Sequence, residues 1–177
     1  MRLENAFEVA APPERAWELL LDVPRVVPCM PGATLTETVD DSHWKATMQV
    51  KLGPVTLTFA ADVAREQVDE AARRVVLSAR AREQRGRGGA TATVESTLEP
   101  DAGGTRVAVV TDLQLSGPAA QFGGPVVKDV AAELTRSFAD CLRSELAETP
   151  PSPGGAASPV AGFRLLVRAL LGRLRRL

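Results

Sequence analysis

The sequence predicts an α+β domain in which a curved antiparallel sheet of about seven strands wraps around one long C-terminal helix. Two observations lead to this fold class: a run of short segments that alternate apolar and polar residues, and a switch to helical spacing near residue 125. Antiparallel strands with one apolar face must bury that face, and the last helix is the long amphipathic element able to cover it. We therefore expect a helix-grip arrangement with an interior between sheet and helix.

The first elements are a strand and a helix. Residues 2–10 have the two-residue period of a half-buried strand, with Leu3, Phe7 and Val9 on one side. Prolines followed by helical spacing predict a helix from about Pro13 to Asp22. Further prolines limit the next stretch to a turn or a single helical turn (Pro24, Pro28 and Pro31).

A meander and a long helix complete the domain. Strands are expected at about 34–39, 44–52, 55–63, 73–83, 89–99 and 105–116, separated by Gly, Pro and Asp clusters. Residues 125–146 then follow the helical period. One face of that helix is apolar: Val127, Val130, Ala131, Leu134, Phe138, Cys141 and Leu142.

Charge is distributed unevenly along the 177 residues. Residues 1–147 contain 16 Lys and Arg against 21 Asp and Glu, a net charge of −5, whereas residues 148–177 contain five Arg against one Glu, a net charge of +4. An acidic body argues against nucleic acid as a partner, because phosphate binding needs a basic face on the folded domain. The N-terminus lacks the apolar region of a secretory signal, and no segment is apolar enough to span a bilayer, so we expect a cytoplasmic body.

The inward positions of the strands and of the last helix are apolar and often small. Close packing is the rule in protein cores, so an interior with few large side chains suggests room for a lipophilic ligand, of which lipids, quinones and aromatic molecules are the suitable classes. A plain core is the alternative. The predicted cavity residues are Met48, Val50, Leu57, Phe59, Ala61, Val109, Leu113, Val127, Ala131, Leu134 and Phe138, and further small residues on the same face are Ala46, Ala79 and Ala92.

Two segments broken by Pro and Gly, Val26–Ala33 and Gly117–Gly124, are predicted to form the rim of that cavity. Mobile loops commonly gate buried sites. The segments also carry apolar residues that a solvated loop does not need, which is typical of an interaction site. We expect cargo to pass and a partner enzyme to dock at Val26, Val27, Met30 and Phe122; capping one end of the core is the alternative role.

Catalytic and metal-binding residues are not predicted. His43 is the single histidine and lies beside two aspartates at a strand start, which is typical of a solvated turn residue. Two cysteines are too few for a disulfide framework and lack metal-ligand spacing, and Cys141, on the apolar helix face, is predicted to be a small core residue. An acid–base mechanism needs titratable groups, and the inward positions are nearly devoid of them.

The C-terminal segment combines leucines with arginines. Residues 148–159, ETPPSPGGAASP, predict a disordered linker, and residues 160–177 predict an amphipathic helix typical of a membrane interface. Docking into a groove of a partner protein is the alternative. The predicted membrane-binding residues are Phe163, Leu166, Val167, Leu170, Leu174 and Leu177 on the apolar face, with Arg164, Arg168 and Arg175 on one flank.

Four stretches of residues 1–146 resemble the CoxG family of carbon monoxide dehydrogenase subunits, which belongs to the START-like, polyketide-cyclase-like superfamily. They are VPCMPGA at 27–33, VKLGPVTLTFAADV at 50–63, GRGGATATVESTLEP at 86–100 and QLSGPAAQFGGPVVKDVAAELTRSFADCL at 114–142. The resemblance implies a START-like helix-grip fold. It also implies an accessory role for a molybdenum hydroxylase of the carbon monoxide dehydrogenase type, linking that enzyme to the membrane.

Taken with the apolar interior, the resemblance leads to a functional hypothesis. We expect a non-enzymatic carrier, peripheral at the cytoplasmic face of the cell membrane, that takes up a respiratory quinone such as menaquinone and offers it to the dehydrogenase. It needs no metal and no covalently bound cofactor. The alternatives are a membrane anchor or recruitment factor without cargo and a cyclase-like or lipid-modifying enzyme.

Overall fold

A computed structural model of the chain describes residues 1–86 and 88–148. The strands are β1 (Arg2–Val9), β2 (Ala33–Thr38), β3 (His43–Leu52), β4 (Val55–Asp69), β5 (Arg74–Glu83), β6 (Gly89–Asp101) and β7 (Gly104–Ser116). The helices are α1 (Pro13–Leu21), α2 (Val23–Val26) and α3 (Gly123–Glu148), and two 3-10 turns cover Val27–Cys29 and Gly117–Phe122.

All seven strands form one antiparallel sheet with the spatial order β1-β7-β6-β5-β4-β3-β2. Strands β2 to β7 are a simple meander, in which each strand pairs with the next along the chain. Strand β1 pairs with β7, so α1, α2 and the first 3-10 turn carry the chain from one edge of the sheet to the other. The predicted fold, a curved antiparallel sheet with a long C-terminal helix, is confirmed.

Local sequence explains how α1 and α2 begin. Pro13 occupies the first turn of α1, where its missing N–H is not needed and its fixed φ suits the helix. Trp17 on the buried face donates its indole N–H to Glu70, with Nε1 3.0 Å from the carboxylate. Asp22 then caps α2, because its side chain accepts the backbone N–H of Arg25.

Strand β4 is longer than the alternating pattern predicts. The alternation of apolar and polar residues extends to Val63, whereas the strand continues to Asp69. A shift in the pairing of β4 with β5 falls between Arg65 and Gln67. Such a bulge places two residues opposite one and resets the alternation, so the end of the strand no longer has the expected period.

The core consists of two separate clusters. The large cluster lies under α1 and the C-terminal half of α3, and the small cluster lies near the start of α3. Buried members of the large cluster are Phe7, Val9, Ala11, Ala16, Trp17, Leu19, Val26, Cys29, Val75, Leu98, Val107, Ala139, Leu142 and Leu146. Those of the small cluster are Leu52, Leu57, Phe59 and Ala119.

Cys29 and Cys141 form a disulfide bond, with their Cα atoms 5.2 Å apart. The prediction that Cys141 is only a small core residue is therefore wrong. The two cysteines are separated by 112 residues, and only the fold brings the 3-10 turn that follows α2 against α3. Spacing in the sequence carries no signal for a contact of this kind.

Candidate ligand-binding site

The inner face of the sheet can be identified from strand register. Directly paired residues in an antiparallel sheet point to the same side, and successive residues point to opposite sides. Buried Trp44 therefore identifies one inner row, which runs Trp44, Val63, Ala79, Ala92 and Leu113 across β3 to β7. The next inner row runs Ala46, Ala61, Ala81, Ala90 and Leu115 across the same strands.

These two rows form a floor made largely of methyl groups. Apart from Trp44, all of their members are only half-buried, and of these Ala81 and Leu115 pack against the small core cluster. Alanine in place of a larger aliphatic residue leaves volume that close packing would otherwise fill. The inner face between the clusters is therefore apolar and incompletely covered.

Helix α3 lies over this face without closing it. It packs chiefly against the edge strand β1, and also against the two 3-10 turns and α1. Ala131 and Leu134, near the middle of the helix, are half-buried and belong to neither core cluster. A lipophilic molecule placed between α3 and the two alanine-rich rows would bury apolar surface that the protein leaves accessible.

The predicted cavity residues separate into three groups. Five are in or against a core cluster at the two ends of the interior: Leu57, Phe59 and Val50 with the small cluster, and Val109 and Phe138 with the large one. Five belong to neither cluster and are half-buried: Met48, Ala61, Leu113, Ala131 and Leu134. Val127 is buried at 8% exposure near the start of α3.

Two surface hollows reach some of these residues. One, of about 360 Å³, lies beside the start of α3 and is lined by Leu113 and Val127. The other, of about 540 Å³, lies between β1 and α3 and is lined by Leu3 and Ala131. Both hollows give solvent access to residues that the sequence places in the cavity.

The predicted rim residues lie at different levels along α3. Cys29 binds Cys141 in the C-terminal half of α3, whereas Phe122 directly precedes the helix and packs against the small core cluster. Cys141 lies 18 residues after Gly123, which corresponds to about 27 Å of helix. After Cys29 the chain returns to the sheet at Ala33, the first residue of β2, which pairs with Met48, so this segment crosses from α3 to β2.

Val26 is 8% exposed and belongs to the large core cluster, so the expectation that it is an exposed rim residue is wrong. It follows Val23 on the short helix α2, and both of these valines face the core. Val27, Met30 and Phe122 are half-buried.

One carboxylate on the inner face was not predicted. Glu83 pairs with Phe59 in the strand register, which places it on the inner side, and it is 5% exposed. Its carboxylate accepts the backbone N–H of Arg85 at 2.9 Å. Glu83 is thus an exception to the description of the interior as nearly free of titratable groups, and half-buried Arg65 is another, since it pairs in register with Leu77 and lies over the ring of Trp44.

Elsewhere in the described part of the chain, few side chains are candidates for catalysis or metal binding. His43 is exposed at the start of β3, with Nδ1 2.9 Å from Asp40 Oδ1. The pKa of Asp40 lies below its usual range, because the backbone N–H of Ser42 donates to the carboxylate and His43 contacts it. Within residues 1–86 and 88–148 no group of three His, Cys, Asp or Glu side chains could hold a metal ion.

The outer face of the sheet carries a groove of about 790 Å³, which we call the outer groove. Its lining includes two outer rows, one with Lys45, Asp62, Arg80, Thr91 and Gln114, the other with Thr47, Ala60, Arg82, Gly89 and Ser116. Between these rows it also includes the row Ala46, Ala61, Ala81, Ala90 and Leu115, and Thr36 of β2 completes it. Ala61 is the one predicted cavity residue that borders it. Among the described residues, α3 contributes none of its lining.

The linker and the amphipathic segment, from residue 149 onward, lie outside the described residues. The same holds for all predicted membrane-binding residues between Phe163 and Leu177. Among the described helices none is long and apolar enough to cross a bilayer.

A seven-stranded antiparallel sheet that holds a long C-terminal helix over an apolar inner face defines a START-like helix-grip protein. Within this class, residues 6–147 match the model of the CoxG family of carbon monoxide dehydrogenase subunits. The chain belongs to this family. No curated protein matches the chain.

Solved structures share the fold at low sequence identity. A conserved protein from Geobacillus kaustophilus is 20% identical with a TM-score of 0.74, covering 84% of this chain and 96% of its own. The Zhui aromatase/cyclase from Streptomyces sp. R1128 is 18% identical with a TM-score of 0.58, covering 88% and 99%. A START superfamily protein from Mycobacterium smegmatis is 19% identical with a TM-score of 0.55, covering 83% and 97%.

Proposed function

We propose that this protein is a non-enzymatic carrier that binds a respiratory quinone, menaquinone in the first instance, in the apolar space between α3 and the inner face of the sheet. It would move the quinone between the membrane and a molybdenum hydroxylase of the carbon monoxide dehydrogenase type. The observation that carries the proposal is the half-buried, methyl-lined floor between two separately packed core clusters. Membership of the CoxG family supports the choice of partner enzyme.

The chemistry of the inner face suits a quinone with a long apolar tail. Ala61, Leu113 and Leu134 offer apolar contacts without hydrogen-bonding groups, so affinity would come from apolar surface removed from water, at about 25 cal/mol per Å². An isoprenoid tail supplies such surface along its whole length. Apolar contacts of this kind are non-covalent and non-directional. The quinone could therefore be loaded and released without a covalent step.

The amphipathic segment at residues 160–177 completes the proposal. A helix with leucines on one face and arginines on its flanks would hold the carrier at an anionic bilayer, each Arg contributing about 1 kcal/mol near the surface. A linker of 12 residues would span up to about 40 Å. The body could then reach an enzyme bound nearby while the tail stays at the membrane.

Filling the interior tests the proposal. Ala61→Trp and Ala131→Phe place rings in the space, and Thr93→Trp places the same indole on the exposed outer face as a matched control. In an open space the two inner variants keep the melting temperature of the wild type, whereas in a packed core overpacking costs about 1–3 kcal/mol.

Menaquinone uptake from vesicles, measured by extraction and mass spectrometry of the re-isolated full chain, is the readout. We expect uptake to be lost in Ala61→Trp and Ala131→Phe and kept in Thr93→Trp. Wild type that takes up no menaquinone, or inner variants that lose stability and leave uptake unchanged, would favour a membrane anchor without cargo.

A further inference from the structure

We propose that the outer groove is a docking surface for an extended acidic segment of a partner protein, which binds through Arg80 and Arg82. Arg80 and Arg82 lie on the face of the sheet opposite the inner floor, because they alternate with Ala79 and Ala81 along β5. The groove shares the row Ala46, Ala61, Ala81, Ala90 and Leu115 with the inner floor, whereas the two arginines belong to the outer side alone.

Neither guanidinium group has a partner among the described residues, a property that both share with Arg106 outside the groove. Many arginines of the described chain form ion pairs with carboxylates: Arg2, Arg25, Arg73, Arg74, Arg136 and Arg143. Arg80 and Arg82 are exposed and make no ion pair or side-chain hydrogen bond within residues 1–86 and 88–148.

The other charged residues of the groove have defined roles. Lys45 donates to Glu37 with Nζ 2.8 Å from the carboxylate, and this hydrogen bond raises the pKa of the lysine. Asp62 pairs in register with both Lys45 and Arg80, so it partly offsets the charge of Arg80. Arg82 has small Ala60 as its register neighbour and is the less compensated of the two.

The distance between the two arginines determines which ligands can contact both of them. Residues i and i+2 of a strand lie on one face about 6.8 Å apart, and alternate side chains of any extended peptide have the same spacing. Carboxylates at alternate positions of such a peptide would meet Arg80 and Arg82 together. Arginine forms bidentate, charge-assisted hydrogen bonds with carboxylates, which adds directional specificity.

The walls and floor of the groove suit a peptide backbone. Thr47, Thr91 and Gln114 offer hydroxyl and amide groups, and Ala60 and Gly89 leave the floor open. A surface that binds an anionic bilayer typically has protruding cations surrounded by apolar side chains. Arg80 and Arg82 instead border a recess with polar walls. The geometry thus favours a protein segment over a lipid surface.

The experiment uses the full chain and a fluorescein-labelled peptide of alternating Glu and Thr, with alternating Gln and Thr as the neutral control. Three variants are compared with the wild type: Arg82→Gln, the double variant Arg80→Gln/Arg82→Gln, and Ala60→Trp, which fills the groove without altering charge. Arg106→Gln is the matched control, since Arg106 is exposed on β7 and lies outside the groove. The basic tail is common to all of these chains, so its attraction for the peptide cancels.

We expect the peptide dissociation constant to rise about tenfold in Arg82→Gln and in Ala60→Trp, further in the double variant, and less than twofold in Arg106→Gln. Binding should weaken with salt. Equal affinities of Arg82→Gln and Arg106→Gln, or loss of co-sedimentation with phosphatidylglycerol vesicles in the double variant, would overturn the proposal. Menaquinone uptake is measured separately, so failure here is distinguishable from failure of the carrier function.

Discussion

Cys29 and Cys141 join the 3-10 turn that follows α2 to the C-terminal half of α3. The bond closes a loop that contains all of β2 to β7 and fixes the start of the segment leading from α3 back to β2. Because the main strand contact of α3 is the edge strand β1, this covalent link is one of the contacts that hold the helix over the inner face.

Removal of the disulfide should lower the free energy of unfolding by about 2–5 kcal/mol, since a cross-link that spans 112 residues restricts the unfolded chain strongly. Guanidinium chloride unfolding of Cys29→Ser and Cys141→Ser measures the loss. The double variant should be no less stable than either single variant, because one substitution already breaks the bond. A wild-type midpoint that does not respond to reductant would contradict this prediction.

Met30→Glu and Phe122→Glu should slow the loading of quinone, because each places a charge in a half-buried position next to the proposed route into the interior. Loading from menaquinone vesicles is followed over time for the full chain. Val39→Glu is the control, since Val39 is 51% exposed in the turn at the other end of β3. Normal loading by both rim variants would place the route elsewhere.

Deletion of residues 160–177 should abolish binding to vesicles while the domain stays folded, because the proposed linker makes the tail independent of the core. Co-sedimentation with phosphatidylglycerol vesicles measures binding, and circular dichroism reports the fold. Full-length protein should bind anionic vesicles more strongly than neutral ones, and less strongly as salt increases. Equal sedimentation of the truncated and full-length proteins would exclude the tail as the membrane anchor.

The fold was largely predictable because period-two and helical patterns are local. Trp44, Phe59 and Leu113 lie on the inner face as their alternation indicates, and the switch at residue 125 marks the body of α3. What the patterns missed depends on contacts between distant segments. The disulfide needs α3 and the first 3-10 turn to meet, and the inward position of Glu83 is hidden because a charged residue is normally read as solvent-facing.

For the candidate sites, too, the sequence predicts the local features and misses those that depend on contacts between distant residues. Alternation places Ala61 and Leu113 on the inner face, but it cannot show that Leu57 is packed in a cluster while Ala61 is not. The outer groove depends on how the sheet curves and on which arginines find carboxylates. Arg74 is paired with Glu95 across β5 and β6, whereas Arg80 and Arg82 on the same strand β5 are not paired within the described residues.

The most direct measurement is the location of a photoreactive menaquinone analogue, cross-linked to the full chain and mapped by peptide mass spectrometry. A carrier with its cargo between helix and sheet predicts labels on half-buried inner residues such as Met48, Leu113 and Leu134, and their loss when unlabelled menaquinone is added in excess. Labels confined to the outer face or to residues 160–177, or labels that excess menaquinone does not displace, would contradict it.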